Sequence, residues 1–257
     1  MPSLCLNIQA VRASKCWLVA LISMCLFGCS SPSSITSSQN TNPRLALAAA
    51  YYQNGQLHIA LEESRKVLEA SANDPQALGL QGLIYMRLDE PALAQKSFSL
   101  AEMAAPLDPD IAHNHAVFLC EQGKYKDAFG RFESALNLPL YSEKAKTMWV
   151  WGVCSNKSGD FLSAQTLWAQ SLSKKPNAET ALALALSYKH HNDYRAAEVL
   201  SQFNRLDVAS AETLWLGAQW ARQSSDFVAL KRYATLLRQR FPNSSQWDAF
   251  QREAFDD

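Results

Sequence analysis

The chain has 257 residues, of which 24 are basic and 24 acidic. Arg12 and Lys15 are the only charged residues in the first 28 positions, so the remainder carries 22 basic and 24 acidic side chains, a formal charge of −2. Because nucleic-acid-binding domains usually carry a basic face, this balance argues against nucleic acid as a partner. Residues 43–257 are long enough for a large core or an elongated repeat array.

The N-terminal segment predicts an export signal. Eleven mostly apolar residues, WLVALISMCLF, occupy positions 17–27 after the two basic residues. A bilayer span needs about 20 residues, whereas a basic start and a short apolar core are typical of a secretory signal peptide. We therefore assign residues 1–28 to a signal peptide.

The predicted signal peptide ends at a cysteine. Leu26-Phe27-Gly28-Cys29 resembles the lipobox of bacterial lipoproteins, in which the cysteine is acylated and becomes the first mature residue. Cys29 is therefore the predicted lipidation site, and an ordinary signal peptide with an incidental cysteine is the alternative. Ser30 follows the cysteine, which in Gram-negative lipoproteins resembles an outer-membrane address. The resemblance implies a protein that is lipid-anchored in the outer membrane and faces the periplasm.

A serine-rich segment follows the predicted lipidation site. Six of the twelve residues from Ser30 to Thr41 are serine, and Ile35 is the only large apolar residue among them. Such a composition buries too little apolar surface to fold. Residues 29–42 are therefore predicted to be a lipidated cysteine and a flexible tether.

Residues 43–257 contain a repeat with a period of 34. Two columns recur at this spacing: Ala60, Ala94 and Ala128, and Gly55, Asp89 and Gly123. Weaker units continue the register at displacements of 36, 33 and 33 residues. This pattern is typical of the tetratricopeptide repeat, or TPR. Such a repeat has small residues where its two helices approach, a turn residue that tolerates positive φ and a proline near its end.

The predicted fold is all-α. We expect a right-handed superhelix of about six TPR helix pairs, closed by a C-terminal capping helix over SSQWDAFQREAF. Ser244 or Ser245 is expected to cap that helix, with Trp247 and Phe250 packing on the last repeat. An irregular helical bundle is the alternative.

The register also predicts a partner-binding groove. In a TPR stack the first helix of each repeat lines the concave face, where the apolar side of a partner helix can bind. The predicted groove residues come from the first three repeats: Leu45, Ala49, Tyr52, Leu83, Met86, Arg87, His113 and Val117. The alternative is that some of them pack against neighbouring helices.

Two cysteines besides Cys29 remain after the signal. Cys120 and Cys154 lie 34 residues apart, on the predicted first helices of repeats three and four. An oxidising compartment permits a disulfide between them if their Cα atoms come within about 7 Å. Two separate buried thiols are the alternative.

The sequence contains no recognisable catalytic or metal-binding motif. His113 and His115 would point about 200° apart on a helix, so they do not readily share a metal ion. We find no nucleophile elbow, phosphate loop or paired carboxylates. We therefore expect no enzymatic activity, metal, cofactor or small-molecule substrate.

Three longer runs resemble one protein family. They are NHAVFLCEQGKYKDAFGRFESAL, LPLYSEKAKTMWVWGVCSNKSGDFLSAQTLWAQSL and LLRQRFPNSSQWDAFQ. They are similar to the type IV pilus biogenesis/stability lipoproteins of the PilF/PilW type. The resemblance covers essentially the whole mature chain, and its most specific part is the LYSEK run, where two residues are inserted between repeats three and four.

The resemblance implies a pilotin, a lipoprotein that binds the type IV pilus secretin subunit and promotes its outer-membrane localisation and multimerisation. We expect a monomer. A second hypothesis is a TPR lipoprotein scaffold of another envelope complex, such as outer-membrane β-barrel assembly. A third, an envelope enzyme that uses TPRs as a scaffold, lacks a domain that would hold the chemistry.

Overall fold

The computed structural model describes residues 42–190 and 193–255, and within them the secondary structure is helical. Thirteen helices follow one another in these ranges: α1 (Pro43–Gln53), α2 (Leu57–Ala70), α3 (Pro75–Arg87), α4 (Pro91–Ala104), α5 (Pro109–Glu121), α6 (Tyr125–Leu136), α7 (Lys144–Lys157), α8 (Phe161–Lys174), α9 (Ala178–His190), α10 (Arg195–Phe203), α11 (Ala211–Gln223), α12 (Phe227–Arg240) and α13 (Ser245–Gln251). Each odd helix up to α11 packs against the even helix that follows it. The predicted six helix pairs and a final helix are confirmed.

Several predictions fall on residues that the structure does not describe. The signal peptide of residues 1–28, the lipidation site Cys29 and the tether up to residue 41 lie outside the described residues. No described helix combines the length and apolarity needed to cross a bilayer.

The turn inside each pair follows the predicted column. Backbone φ is positive at one residue of the turn in each of the five pairs whose turn is fully described: Gly55 (76°), Asp89 (59°), Gly123 (71°), Gly159 (87°) and Ser225 (58°). Glycine adopts this conformation without a Cβ penalty, and Asp is one of the few other residues that tolerate it well. The spacing of these turns therefore fixes the repeat register in the structure.

Asparagine or aspartate followed by proline starts the first helix of repeats one to three. The side chains of Asn42, Asp74 and Asp108 accept hydrogen bonds from backbone N–H groups of the first turn. Proline occupies the next position, where a missing N–H costs nothing and φ is already helical. These caps satisfy free backbone donors and set where the first helix of each of these repeats begins.

Small residues let the two helices of a pair approach closely. A Cβ atom added to Gly82 would lie 2.7 Å from the ring of Phe98, and one added to Gly152 would lie 2.5 Å from the indole of Trp168. Phe98 is fully buried and Trp168 nearly so. The large ring of the second helix thus rests on the backbone of the first.

The C-terminal helix is shorter than predicted. Ser244 caps α13 by accepting a hydrogen bond from the backbone N–H of Trp247 at 3.1 Å, and Trp247 and Phe250 pack against the core of the last repeat, as expected. The helix ends at Gln251, however, because Glu253 adopts a φ of 54°. The chain then turns back and brings Phe255 against the same repeat.

Replacing Gly82 tests the close approach of the two helices. Gly82→Ala forces the buried ring of Phe98 to move, so we expect a loss of about 1–3 kcal/mol in the free energy of unfolding. Thermal unfolding would then occur about 2–10 °C lower. Gly130→Ala is the matched control, because no atom lies within 4 Å of its added Cβ.

Gly130 lies inside α6, so alanine there should raise stability by roughly 0.5–1 kcal/mol. Equal effects of the two substitutions would contradict the packing argument.

Candidate partner-binding surface

The first helices of successive repeats line one face of the stack. α1 contacts α3, α3 contacts α5, α5 contacts α7, and α9 contacts α11. Within the described ranges, the second helices of neighbouring repeats make no comparable contact with one another. The first helices therefore lie on the inside of the curvature, as the TPR register predicts.

An apolar groove opens on this face at repeats one to three. Its volume is about 270 Å³, and we call it the N-terminal groove; it is lined by Leu45, Ala49, Gln76, Gly79, Leu80, Leu83, Asp110, Ile111 and Asn114. Three of the eight predicted groove residues, Leu45, Ala49 and Leu83, are among these. The lining carries one carboxylate, Asp110, and no cation.

Tyr52 and Arg87 interact with each other at the seam between α1 and α3. The guanidinium carbon of Arg87 lies 5.0 Å from the centroid of the Tyr52 ring, and Arg87 Nη1 donates a hydrogen bond of 2.9 Å to the Tyr52 carbonyl oxygen. Met86 and Val117 are half-buried against the core that includes Phe118 and Cys120. These four residues flank the N-terminal groove without lining it.

His113 is the predicted groove residue that the structure contradicts. Its side chain is only 3% exposed, and its Nδ1 lies 2.8 Å from Thr147 Oγ1, which is also 2.8 Å from the Tyr141 hydroxyl. Tyr141 belongs to the LYSEK run and Thr147 to the first turn of α7. His113 is therefore buried against Thr147 of α7 and the ring of Phe132, and it is removed from the accessible face.

Burial also changes the chemistry of His113. Loss of water, together with the nearby charge of Lys146, lowers the pKa of the imidazole to about 4. A buried imidazole favours its neutral form because the charged form loses hydration. His113 is thus a neutral hydrogen-bonding residue near neutral pH, not a partner-binding one.

His115 faces away from His113 and has partners of its own. Its Nδ1 lies 2.9 Å from a Glu102 carboxylate oxygen, its Nε2 lies 2.9 Å from Gln95 Nε2, and its ring stacks on Phe98. Among the described residues, no three His, Cys, Asp or Glu side chains are grouped as a metal site requires. Both histidines are explained by packing between repeats.

A disulfide joins Cys120 and Cys154 in the structure. The Cα atoms are 5.9 Å apart, and the bridge links α5 to α7 across the point where the two residues are inserted. In the chain-entropy model, a bridge that closes a loop of about 35 residues contributes roughly 3–4 kcal/mol. The cross-link therefore holds repeats three and four together where the regular spacing is broken.

A larger groove lies between α7 and α9, and sequence reasoning did not identify it. Its volume is about 590 Å³, and we call it the central groove; it is lined by Trp149, Val153, Asn156, Lys157, Phe161, Trp168, Ala183, Leu186, Ser187 and His190. Although both helices are described, α7 and α9 make no contact comparable to that between α5 and α7. The groove exists because these two first helices are splayed.

The repeat register predicts that residues of α7 face the central groove. Trp149 and Val153 occupy the columns of Leu45 and Ala49 once the displacements of 34, 34 and 36 residues are applied. Trp149 is only half-buried, and its ring lies 5.9 Å from that of Trp168. The predicted groove residues came from the first three repeats only, so this position in repeat four was not among them.

The comparisons with known proteins agree with the resemblance in the sequence. No protein-family model matches the chain. The chain is 26% identical over 211 residues to the type IV pilus assembly protein PilF of Pseudomonas aeruginosa, which covers 81% of this chain and 84% of that protein. It is also 26% identical over 207 residues to cellulose synthase 2 operon protein C of Komagataeibacter xylinus, but that match spans only 16% of the relative.

Solved structures show the same fold. The structure of Pseudomonas aeruginosa PilF aligns with a TM-score of 0.64 at 24% identity, covering 82% of this chain and 96% of that one. PilW, a type IV pilus biogenesis factor, aligns with a TM-score of 0.61 at 24% identity, covering 83% and 99%. The predicted TPR fold and the resemblance to the PilF/PilW type are confirmed.

The buried imidazole of His113 predicts a pH dependence. The imidazole at position 113 becomes protonated below about pH 6.5 in the unfolded chain. In the folded chain its pKa is lowered to about 4, so it stays neutral until the pH approaches that value. Folding stability should therefore fall as the pH drops from 6.5 towards 4, by at most about 3 kcal/mol from this residue. Thermal unfolding at pH 7 and pH 4.5 measures the loss.

In the His113→Gln variant the loss between the two pH values should be smaller than in the native chain. His58→Gln, at an exposed position on α2, is the control and should keep the native pH dependence. An unchanged pH dependence in His113→Gln would show that this imidazole is not responsible.

Proposed function

We propose that this chain is an outer-membrane lipoprotein that acts in type IV pilus biogenesis as a pilotin. It would bind the pilus secretin subunit and promote the localisation and multimerisation of the secretin in the outer membrane. The observation that carries the proposal is the similarity to a type IV pilus assembly protein over 81% of this chain and 84% of the relative. That span excludes a likeness confined to one or two repeats.

The sequence supports the membrane part of the proposal. The lipobox ending at Cys29 and the Ser30 that follows it are what an outer-membrane lipoprotein of a Gram-negative bacterium would carry. Two or more acyl chains anchor a protein stably, since each buried CH₂ contributes about 0.8 kcal/mol. The anchor would also raise the local concentration of the repeats at the membrane, so a weak contact with the secretin suffices.

The N-terminal groove supports the binding part. Leu45, Ala49 and Leu83 offer apolar surface, while the amides of Gln76 and Asn114 lie beside them. Such a surface suits the apolar face of one helical or extended segment. Asp110 in the lining favours a basic residue next to those apolar side chains. We therefore propose that the secretin segment bound here is apolar with a flanking Lys or Arg, and that the protein acts by docking without catalysis.

Removing the lipidation site tests the location. In cells that carry Cys29→Ala, we expect the secretin multimer to disappear or to move to the inner membrane, because the repeats no longer reach the outer membrane. Sucrose-gradient fractionation with blots of unheated gels measures both outcomes. Ser34→Ala, in the same segment, is the control and should leave the multimer unchanged.

The same cells distinguish the pilotin proposal from the alternative hypothesis of a scaffold for β-barrel assembly. A scaffold for β-barrel assembly would cause general envelope defects on loss of the anchor, with many outer-membrane proteins depleted. An intact secretin multimer in the outer membrane of Cys29→Ala cells, at normal levels of the variant, would contradict the pilotin proposal.

A charge placed in the N-terminal groove tests the binding surface. Ala49→Glu puts a carboxylate among apolar groups and near Asp110, so we expect at least a tenfold loss of secretin that co-purifies with the protein, equivalent to about 1.4 kcal/mol. The matched control is Ala50→Glu, on the same helix at an exposed position outside the groove lining.

The control should bind the secretin like the native chain. Equal binding by both variants would show that the secretin docks elsewhere. Thermal unfolding of both variants checks that the difference does not come from a loss of folding.

A further inference from the structure

The last repeat already holds an aromatic side chain on its concave face. Phe255 stacks on Trp215 of α11, with ring centroids 5.1 Å apart and an interplanar angle of 23°. Its carbonyl oxygen accepts a hydrogen bond of 3.3 Å from Gln219 Nε2, and the guanidinium carbon of Arg222 lies 5.5 Å from its ring centroid. Three residues on one stripe of α11, at positions i, i+4 and i+7, thus bind the ring and backbone of a following segment.

The same stripe recurs on α7. Each residue of the α11 stripe has a counterpart on α7, 66 positions earlier in the chain. The three counterparts are Trp149, Val153 and Asn156. The turns that follow the two helices confirm this register, because the residues with positive φ, Gly159 and Ser225, are also 66 apart. All three α7 residues line the central groove.

The stripe on α7 faces open space, whereas the stripe on α11 is covered by the chain itself. The central groove leaves about 590 Å³ in front of Trp149 and Val153. On its other side Leu186 of α9 is 51% exposed, although it is a large aliphatic residue. Burying a ring between these groups would remove apolar surface from water, and stacking on Trp149 would add a favourable aromatic contact.

The charge of the residues that line the central groove determines which charged residue is favoured next to that ring. Lys157 is among the ten described residues that line the central groove, and none of the ten is a carboxylate. The N-terminal groove has the opposite character, with Asp110 and no cation. A peptide with Asp or Glu beside its aromatic residue therefore complements the central groove and is repelled by the other.

We propose that the central groove is a second binding site, which takes an aromatic side chain carried on an acidic segment of a partner protein. The ring stacks on Trp149 and contacts Val153 and Leu186, while a carboxylate of the segment pairs with Lys157. The C-terminal sequence of this chain, EAFDD, has the same chemistry, and its Phe255 occupies the equivalent position of repeat six. The proposal concerns a site separate from the N-terminal groove and does not depend on the secretin as partner.

A peptide-binding measurement on the full chain in detergent tests the proposal. The probe is a fluorescein-labelled peptide with the sequence of residues 245–257, SQWDAFQREAFDD, and its polarisation is followed as the protein is added. We expect saturable binding with a Kd below about 1 mM. A second peptide, with alanine in place of all three aromatic residues, should bind at least tenfold more weakly.

Two protein variants place the binding in the central groove. Leu186→Glu should weaken the aromatic peptide at least tenfold, since it adds a carboxylate to the groove. Leu93→Glu makes the same change at an exposed position on α4 and should bind like the native chain. Because Leu186 is half exposed, its variant should fold, and thermal unfolding of both variants checks this.

Three outcomes would overturn the proposal: no saturable binding up to about 1 mM peptide, equal binding of the two peptides, or equal binding by Leu186→Glu and Leu93→Glu. Weakening by Lys157→Glu, and by added salt, is expected from the proposed ion pair. If that substitution leaves the affinity unchanged, the acidic part of the proposal is wrong.

Discussion

A large aromatic ring lying on the backbone of a glycine holds together the helix pair of three repeats. In each case the ring lies 16 positions after the glycine, and a Cβ on the glycine would collide with it. The pairs are Gly82 with Phe98, Gly152 with Trp168, and Gly217 with Tyr233. The short distance between the helices leaves room for a turn of only a few residues, which explains the positive φ within it. In these three repeats the contact sets how closely the two helices approach, and with it the geometry of the pair.

The 34-residue spacing is broken between repeats three and four. Two residues are inserted between repeats three and four, in the run that contains Tyr141. There the structure has the hydrogen bonds among His113, Thr147 and Tyr141, and the disulfide between Cys120 and Cys154. Both lie between α5 and α7 or in the loop between α6 and α7, so polar and covalent contacts reinforce the packing of the repeats where the spacing changes.

The break also separates two binding surfaces of different chemistry. The N-terminal groove, on repeats one to three, is apolar with Asp110 in its lining, whereas the central groove, on repeats four and five, has tryptophan walls and Lys157. A single stack of this kind is able to hold two different segments at a fixed distance. That arrangement suits a protein that brings parts of an assembly together, and it needs no reactive group.

The sequence by itself determined the repeat, its register and three of the nine residues that line the N-terminal groove. The 34-residue columns are local packing and turn requirements, so the sequence shows them directly, and Leu45, Ala49 and Leu83 follow from the same count. Only the tertiary structure decided the rest. His113 obeys the column rule but is buried against Thr147, 34 positions later, and the central groove exists because α7 and α9 are splayed. Both features depend on how far apart neighbouring repeats lie, which is set by contacts distant in sequence and not by the spacing within one repeat.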